Sequence, residues 1–396
     1  MAKVCFTWEL GQGYGHLVRY RALINALVDA GHAVSFIVKD ESRAKRVFSD
    51  LPIGIFAIEP GYTPPGERLV RLNSYAEILH DFGFHSPERL RRQVDAWLRY
   101  FSRLRPDVVI ADHSPSALVA TRIARIPTVF SGNGFTVPPR TTPMRPLRYW
   151  NVGEREQLPE HEALVLRSCN AVFEDHGCTP CRALADVLET ELEWLLSFAE
   201  LDHYGGREHG HYLGTYPDRT FGAVPNWKSC VGPKIFAYLS VRTLNDSLVR
   251  ALRAVAGNLC IHAPQMGAGE FEKLPRDRLV VEPDPVNIDA VAGSADLVIT
   301  NGSLNTVAAF LRAGIPQLVL PNNLERHMVS RQLELTGAGL LALWREPDRL
   351  TEKLRALLDE RAFARNAENF ARRYETARAA QQLNRMLEDL SPYLVP

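Results

Sequence analysis

Two segments of this sequence combine residue types that perform chemistry with glycines that leave them accessible. In the first, the glycine-rich residues 11–15 follow an apolar segment and lead to His16, where a segment with helical periodicity begins. The positive end of a helix favours the neutral imidazole, which is the form that accepts a proton. His16 is therefore a candidate general base. The alternative is a histidine that only caps the helix.

Asp112 is the candidate partner of His16, because it ends a second apolar segment that predicts a buried strand. A carboxylate bonded to one ring nitrogen fixes the tautomer of a histidine and stabilises the imidazolium formed in catalysis. An aspartate at a strand end is also a common helix cap, and His113 or Ser114 could serve instead. We predict a His16–Asp112 pair at the carboxyl ends of neighbouring strands, where open α/β sheets bind ligands.

The second segment lies in the other half of the chain, where the strand DLVIT is followed by Asn301, Gly302 and Ser303 and then by a helix. Small residues at a helix start leave backbone N–H groups free to meet phosphate oxygens. The Gly-Lys-Ser/Thr signature of a P-loop is absent, which disfavours NTP hydrolysis. We predict a phosphate-binding turn here, including Asn305 and Thr306 of the helix.

A polar cluster follows the next strand, PQLVL. Its members are Asn322, Asn323, Glu325, Arg326 and His327. Such a cluster at the carboxyl end of a strand suits a ligand with many hydroxyl groups, although a solvated helix start would look similar.

A dinucleotide site and a zinc site are both disfavoured. Gly11, Gly13 and Asp40 resemble a dinucleotide-binding fingerprint, but His16 stands where that fingerprint needs its third glycine. A small group of possible zinc ligands has a spacing that matches no standard zinc site, and ordinary free thiols are the better interpretation. The group consists of Cys169, His176, Cys178 and Cys181. We expect neither a metal nor a cofactor.

The elements that must position these residues form two α/β domains. KVCFTW, HLVRYRALINALVDAG and AVSFIVK predict a strand, a helix and a parallel strand, and a helix opened by Ser86 precedes the buried strand RPDVVIAD. The alternation of predicted strands and helices is interrupted by a segment rich in Gly, Pro, His and Tyr. It then resumes with the predicted strands PKIFAYL, LCIHA, RLVVE, DLVIT and PQLVL. We predict domains at residues 1–213 and 214–396, each with a parallel sheet covered by helices.

Composition narrows the classes of partner. The 396 residues are 46% hydrophobic and 23% charged, as expected of a globular protein, and 46 Lys and Arg balance 46 Asp and Glu. This balance disfavours nucleic acid as a partner. No apolar run is long enough to span a membrane and no signal peptide is recognisable, so we expect a cytoplasmic protein.

Arginines recur in the first half of the chain, and they indicate either a solvated helix face or contact with an anionic, membrane-associated acceptor. Four of them share one face of the helix opened by Ser86, and three follow later. They are Arg89, Arg92, Arg99, Arg103, Arg140, Arg145 and Arg148.

Four segments, in order, resemble the glycosyltransferases of the B type, and are most similar to the bacterial macrolide, antibiotic and UDP-glucuronosyl or UDP-glucosyl transferases. The segments are GQGYGHLVRYRALINALVDAGHAVSFIV, RPDVVIAD, SFAELDHYGGREHGHYLG and DLVITNGSLNTVAAFLRAGIPQLVLPNNLERHMVSRQLELTGAG. The resemblance covers most of the chain, and its C-terminal segment is the most specific.

The resemblance implies two Rossmann-like domains facing across a cleft, with a final helix that crosses back to the first. It implies that the first domain binds a small-molecule or lipid-linked acceptor, with Gly13, Tyr14 and Gly15 in the acceptor-side loop, and that the second binds a UDP- or dTDP-linked sugar. It further implies a metal-independent, inverting hexosyltransferase in which His16, paired with Asp112, deprotonates the acceptor hydroxyl.

Two departures bear on the donor. This chain has Asn301 where the family often has a histidine that contacts the diphosphate, and Glu325-Arg326 where it often has Asp-Gln for the sugar hydroxyls. An arginine there could recognise a carboxylate or phosphate, or it could face solvent. Two alternatives therefore stay open: a nucleotide-sugar epimerase or hydrolase with the same fold, and a non-catalytic partner protein that has lost donor binding.

Overall fold

The computed structural model describes residues 1–151, 158–217, 221–255, 257–343 and 347–394. These residues form two compact units. The first unit comprises Met1–Leu196, Arg207–Gly214 and Ala380–Pro396, and the second comprises Ser197–Gly206 and Thr215–Ala379. Each unit is built on one six-stranded parallel sheet with the strand order of a Rossmann fold. The predicted fold class, two Rossmann-like parallel-sheet domains, is confirmed.

The first sheet has the order β3-β2-β1-β4-β5-β6, and all its neighbouring strands are parallel. Its strands are β1 (Lys3–Trp8), β2 (Ala33–Val38), β3 (Gly54–Ala57), β4 (Val108–Asp112), β5 (Thr128–Gly132) and β6 (Leu192–Leu195). The order reverses between β1 and β4, which lie side by side with Trp8 opposite Asp112. A crevice for ligands opens beyond the carboxyl ends of strands at such a reversal.

The helices of the first unit begin with two short ones where the sequence predicts a single helix from His16. The break falls at Tyr20, whose N–H bonds to Leu17 three residues back and whose buried hydroxyl donates to Ser131 Oγ at 2.7 Å. The side chain is thus held by the sheet rather than by the helix. The helices are α1 (Gly15–Val18), α2 (Arg21–Asp29), α3 (Glu41–Val47), α4 (Tyr75–Leu79), α5 (Pro87–Leu104), α6 (Pro115–Ala124), α7 (Leu158–Asp175) and α8 (Leu184–Val187).

Helix α5 begins where its sequence predicts. Ser86 accepts a hydrogen bond from the Arg89 N–H through its side chain, and proline follows at the first helical position. Leu90, Val94 and Trp97 are fully buried on one face. Helical periodicity therefore identified the face that packs against the rest of the unit.

The second sheet has the order β12-β11-β10-β7-β8-β9 and is also parallel throughout. Its strands are β7 (Lys234–Tyr238), β8 (Asn258–His262), β9 (Leu279–Val281), β10 (Leu297–Thr300), β11 (Gln317–Val319) and β12 (Gly339–Leu341). The reversal of order falls between β7 and β10. The helices of this unit are α9 (Asp246–Ala254), α10 (Ala268–Phe271), α11 (Ile288–Ala292), α12 (Leu304–Arg312), α13 (Leu324–Leu335), α14 (Pro347–Asp359) and α15 (Arg361–Arg373).

The last helix, α16 (Ala379–Leu390), packs in the first unit. Met386 and Leu390 are buried in the hydrophobic core that β1, β2 and β4 also form. The indole N–H of Trp194 donates to Asp389 Oδ2 at 2.7 Å. The C-terminal segment is therefore part of the core that supports the first sheet.

Candidate functional site

His16 and Asp112 meet at the carboxyl ends of β1 and β4, where the strand order of the first sheet reverses. The His16 Nδ1 lies 3.1 Å from Asp112 Oδ2, although 96 positions separate the two residues. The Asp112 side chain is almost completely buried, and that of His16 is 12% exposed. The structure thus brings together the pair that the sequence predicts, in a position where one partner is shielded and the other reaches solvent.

The ring of His16 stacks on two other rings. Trp8 stacks on one side with a centroid distance of 5.4 Å, and His113 stacks at 6.1 Å. Gly11 has a φ of 82°, and a Cβ added to it would lie 2.6 Å from His16 Nε2. Only glycine leaves room for the imidazole at this turn. The loop therefore fixes the ring rather than merely exposing it.

Asp112 is ionised despite its burial. Burial opposes the charge, but His16 and the Arg19 guanidinium, 3.8 Å from Oδ2, outweigh this effect and hold the pKa of Asp112 below its usual range. An ionised carboxylate only accepts hydrogen bonds, so His16 Nδ1 carries the proton of the neutral ring and Nε2 carries the lone pair. This is the tautomer that a general base requires.

His113 and Ser114 do not take the place of Asp112. Burial, followed by the charge of His16, lowers the pKa of His113 to about 3, so this ring stays neutral beside the base. Neither of its ring nitrogens has a hydrogen-bond partner among the residues that the structure describes. Ser114 Oγ donates to the backbone oxygen of Asp112. Of the three candidates, Asp112 is the one that bonds to His16.

Gly13, Tyr14 and Gly15 form the turn into α1. Gly13 has a φ of 90°, and the Tyr14 side chain is partly exposed. The Tyr14 hydroxyl accepts a hydrogen bond from Arg46 at 3.0 Å, and the Arg43 guanidinium lies over its ring. The predicted acceptor-side loop is thus anchored to α3 through an aromatic ring.

Glu9 is a residue of this region that the sequence analysis missed. It directly follows β1, is fully buried, and accepts hydrogen bonds from the backbone N–H and the hydroxyl of Ser116, at 3.1 and 2.5 Å. It thereby caps α6, whose own Ser114 makes no side-chain cap bond. Burial raises the pKa of Glu9 to about 7, against the smaller opposite effect of the Ser116 bonds. Glu9 could have been identified from the sequence, because it is a charged residue at the end of an apolar strand.

Glu9→Gln should change the pH dependence of stability. Because the folded-state pKa of Glu9 lies above its ordinary value of 4.5, the folded chain binds this proton more tightly than the unfolded chain does. The contribution of Glu9 to the free energy of unfolding is fully present below pH 4.5 and is lost as the pH rises through 7. Relative to the unmodified protein, the variant should gain roughly 3 kcal/mol in the free energy of unfolding between pH 4.5 and pH 8. Urea unfolding at the two pH values measures this difference.

Glu59→Gln, which removes an exposed carboxylate, serves as the control for this experiment. It should shift the free energy of unfolding by less than about 0.5 kcal/mol at either pH. Equal pH dependence in Glu9→Gln and the unmodified protein would contradict the raised pKa.

In the second unit, Asn301 holds the strand ends together at the reversal of strand order. Its side-chain N–H₂ donates to the Leu320 oxygen after β11 at 3.1 Å, and its Oδ1 accepts from the Ser240 N–H after β7. The residue is almost completely buried. Asn301 therefore shapes the turn by linking the loops that follow three neighbouring strands.

Gly302 and Ser303 complete the turn into α12. Gly302 has a φ of 78°, and a Cβ there would lie 2.7 Å from both Ser330 Oγ and Val319 Cγ1. Ser303 is the N-cap residue, but its side chain makes no cap bond; its hydroxyl pairs with that of Thr306 at 2.7 Å. The Ser303 side chain therefore does not cap the first N–H groups of α12. Asn305 accepts a hydrogen bond from Thr215.

Glu325 and Arg326 lie in the first turn of α13, after β11. Asn323 caps this helix by accepting from the Arg326 N–H at 2.9 Å, and the Arg326 guanidinium donates to Asn322 Oδ1 at 3.0 Å. Arg326 is thus turned back toward the loop. The predicted donor-side residues come from two neighbouring strand ends, β10 and β11.

The loop after β7 contains two residues that the sequence analysis missed. Arg242 and Thr243 are exposed and follow Ser240, which is bonded to Asn301. Because β7 and β10 flank the reversal of strand order, this loop borders the same crevice as Gly302. These two residues could have been identified from the sequence, because polar residues follow the strand PKIFAYL.

No group of three or more His, Cys, Asp or Glu side chains suited to a metal ion occurs in the described part of the chain. Cys169 and Cys181 are buried free thiols, and His176 faces Asp95. None of the helices that the structure describes is both long and apolar enough to cross a membrane.

Thr306→Val should weaken binding of nucleoside diphosphates if phosphate lies at the start of α12. A hydrogen bond to a charged group contributes about 1.5–3 kcal/mol, so the dissociation constant of UDP or dTDP should rise about tenfold or more. Thr306→Ser keeps the hydroxyl and should bind as the unmodified protein does. Titration calorimetry distinguishes the outcomes, and identical affinities in all three proteins would place the phosphates elsewhere.

Two family models match this chain. A glycosyl transferase 4-like domain matches residues 15–173, and a glycosyltransferase family 28 C-terminal domain matches residues 247–385. The chain is also similar to a PGL/p-HBAD biosynthesis rhamnosyltransferase of Mycobacterium bovis (strain BCG / Pasteur 1173P2). The two are 27% identical over 348 residues, which cover 82% of this chain and 74% of the relative.

Solved structures share the fold. The glycosyltransferase of kitacinnamycin has a TM-score of 0.70 and 19% identity, with coverage of 100% of this chain and 99% of the other. The spinosyn rhamnosyltransferase SpnG, complexed with spinosyn aglycone, has a TM-score of 0.65 and 19% identity, with coverage of 98% and 100%. A second structure of that enzyme is complexed with thymidine diphosphate.

Proposed function

We propose, from the premise that this chain is a glycosyltransferase of the B type, that it transfers a sugar from a nucleoside-diphosphate sugar to an acceptor hydroxyl with inversion at the anomeric carbon. The observation that carries this proposal is the His16–Asp112 pair, whose ring nitrogen and carboxylate oxygen are 3.1 Å apart at the edge of the first sheet where ligands bind.

In the proposed reaction, His16 Nε2 accepts the proton of the acceptor hydroxyl as its oxygen attacks the anomeric carbon. The new carbon–oxygen bond forms on the face opposite the departing diphosphate, whose bond to the same carbon breaks. Asp112 stabilises the imidazolium that results. Stacking on Trp8 further stabilises the imidazolium, because an aromatic face attracts a cation.

The leaving nucleoside diphosphate would be bound by the second unit. The backbone N–H groups at the start of α12 and the hydroxyls of Ser303 and Thr306 would bind its phosphates, which need no metal or other cofactor in this scheme. Glu325 and Arg326 would face the transferred sugar from the neighbouring strand end. The complex of SpnG with thymidine diphosphate supports dTDP, or the related UDP, as the nucleotide.

The acceptor would be an apolar molecule that presents a hydroxyl group. The spinosyn aglycone held by SpnG supports this class, as a small-molecule rather than a nucleic-acid acceptor. A lipid-linked acceptor fits the same chemistry.

His16→Ala should lower turnover by about 10²–10⁴-fold, which is the usual contribution of a positioned base, while donor affinity changes little. Asp112→Asn should cause a smaller loss, because it weakens both the orientation of the ring and the stabilisation of its charge. Release of nucleoside diphosphate and formation of the acceptor conjugate are both measured, so that transfer is separated from donor hydrolysis. Near-normal transfer by His16→Ala would remove this residue from the mechanism, and His176→Ala controls for loss of a histidine outside the site.

Glu325→Ala should lower turnover with the natural donor at least tenfold while the affinity for the free nucleoside diphosphate stays within about twofold, because the side chain would contact the sugar alone. Glu334→Ala, on the same helix, is the control. Parallel losses for nucleotide and nucleotide-sugar would assign Glu325 to the phosphates or to folding instead.

A further inference from the structure

A groove on the first unit carries an unusual concentration of arginines and has no part in the function proposed above. It lies between the outer face of α5 and the segment that follows β3, and its volume is about 690 Å³. Four arginines and a single glutamate, Glu59, line it. The arginines are Arg89, Arg92, Arg99 and Arg103.

The four arginines form one stripe because their spacings of three, seven and four residues all return to the same face of a helix. Fourteen residues separate the first from the last, which corresponds to about 21 Å along the helix axis. The opposite face of α5 is the buried one that holds Leu90, Val94 and Trp97. The stripe therefore points away from the core and into the groove.

Half of this positive charge is left without a carboxylate. Arg89 lies 3.1 Å from Glu67, and Arg92 lies 3.6 Å from Glu88. Arg99 and Arg103 have no carboxylate within 4.0 Å among the residues that the structure describes. Like charges four residues apart on a helix repel each other and destabilise the helix. An anion between these two guanidinium groups would relieve that repulsion.

The groove also offers apolar and aromatic surface. Tyr62 is 46% exposed, and the Tyr100 hydroxyl donates to the backbone oxygen of Ala57, the last residue of β3, at 2.7 Å. Ala96 and Pro60 also line the groove. A ligand with an anionic part and an apolar part would therefore find both kinds of contact here.

We propose that this groove binds a phosphate-bearing amphiphile, with its phosphate oxygens on Arg99 and Arg103 and its apolar part against Tyr62 and Ala96. The planar guanidinium groups of arginine suit phosphate oxygens, since each presents parallel N–H donors. A phospholipid of a membrane and a free phosphorylated amphiphile share this chemistry. The groove is lined by α5, the end of β3 and the segment after it, and Tyr62 accepts a hydrogen bond from Lys39, whose ammonium group lies 5.7 Å from the centroid of the Trp8 ring. The proposal does not depend on the proposed catalytic function.

The test is titration calorimetry with dihexanoyl phosphatidic acid, a short-chain phospholipid used below its micellar concentration. Arg99→Gln combined with Arg103→Gln should raise its dissociation constant at least tenfold, since both phosphate contacts are lost. Arg167→Gln combined with Arg182→Gln removes two exposed arginines elsewhere on the same unit and should leave affinity within twofold. Thr306→Val should also leave it unchanged, which separates this site from the donor phosphates.

Unchanged affinity in the Arg99 and Arg103 double variant would overturn the proposal, and so would an equal loss in the Arg167 and Arg182 control, which would indicate only a general field. The single variant Arg99→Gln, with a thermal melt to confirm folding, tests the site if the double variant is unstable. Inorganic phosphate binding as tightly as phosphatidic acid would likewise contradict the required combination of anion and apolar part.

Vesicles separate the two sources of the ligand. Flotation with phosphatidylcholine vesicles that contain phosphatidylglycerol, lost in the Arg99 and Arg103 double variant, would assign the ligand to a membrane. Binding of soluble phosphatidic acid without flotation would assign it to a free amphiphile. Either result supports binding of a phosphate-bearing amphiphile in the groove, and absence of both results overturns the proposal.

Discussion

The reversal of strand order within each parallel sheet is the constraint on which the rest of this structure depends. Between β1 and β4, and between β7 and β10, the connecting helices leave toward opposite sides, so the carboxyl ends of the central strands stay uncovered. His16 and Asp112 occupy one of these edges, and the turn at Gly302 occupies the other. Two segments of unrelated sequence thereby acquire equivalent positions.

Two buried carboxylates at the edge of the first sheet show how their partners decide their charge. Asp112 lies beside His16 and Arg19, which hold its pKa below the usual range despite burial. Glu9 is just as buried, but the neutral Ser116 is its hydrogen-bond partner, and its pKa rises to about 7. Burial disfavours charge in both. His16 and Arg19 outweigh burial at Asp112, whereas the Ser116 bonds and the smaller effect of Lys39 do not outweigh it at Glu9. The strand edge therefore holds one carboxyl whose pKa is lowered and one whose pKa is raised to about 7.

The departures from the family pattern have a structural meaning in the second unit. Asn301 stands where the glycosyltransferases that this chain resembles often have a histidine. Its side chain is hydrogen-bonded to the backbone of Ser240 and of Leu320. The turn is thus held by an amide, and the hydroxyls of Ser303 and Thr306 beside it are half-buried and bonded to each other. The Arg326 guanidinium donates to Asn322 Oδ1. These contacts favour a donor site built on backbone N–H groups and hydroxyls.

The sequence by itself determined the fold class, the long helix α5, eight of the strands and the residue types of both candidate sites, because periodicity and turn residues encode structure locally. It did not show the short strands β3, β5, β6 and β12, the break at Tyr20 or the burial of Glu9. Each of these depends on distant partners: Tyr20 bonds to Ser131, and Glu9 to Ser116 more than a hundred residues away. Tertiary structure alone decided the geometry of the His16–Asp112 pair, because its two halves are joined only when β1 and β4 lie side by side.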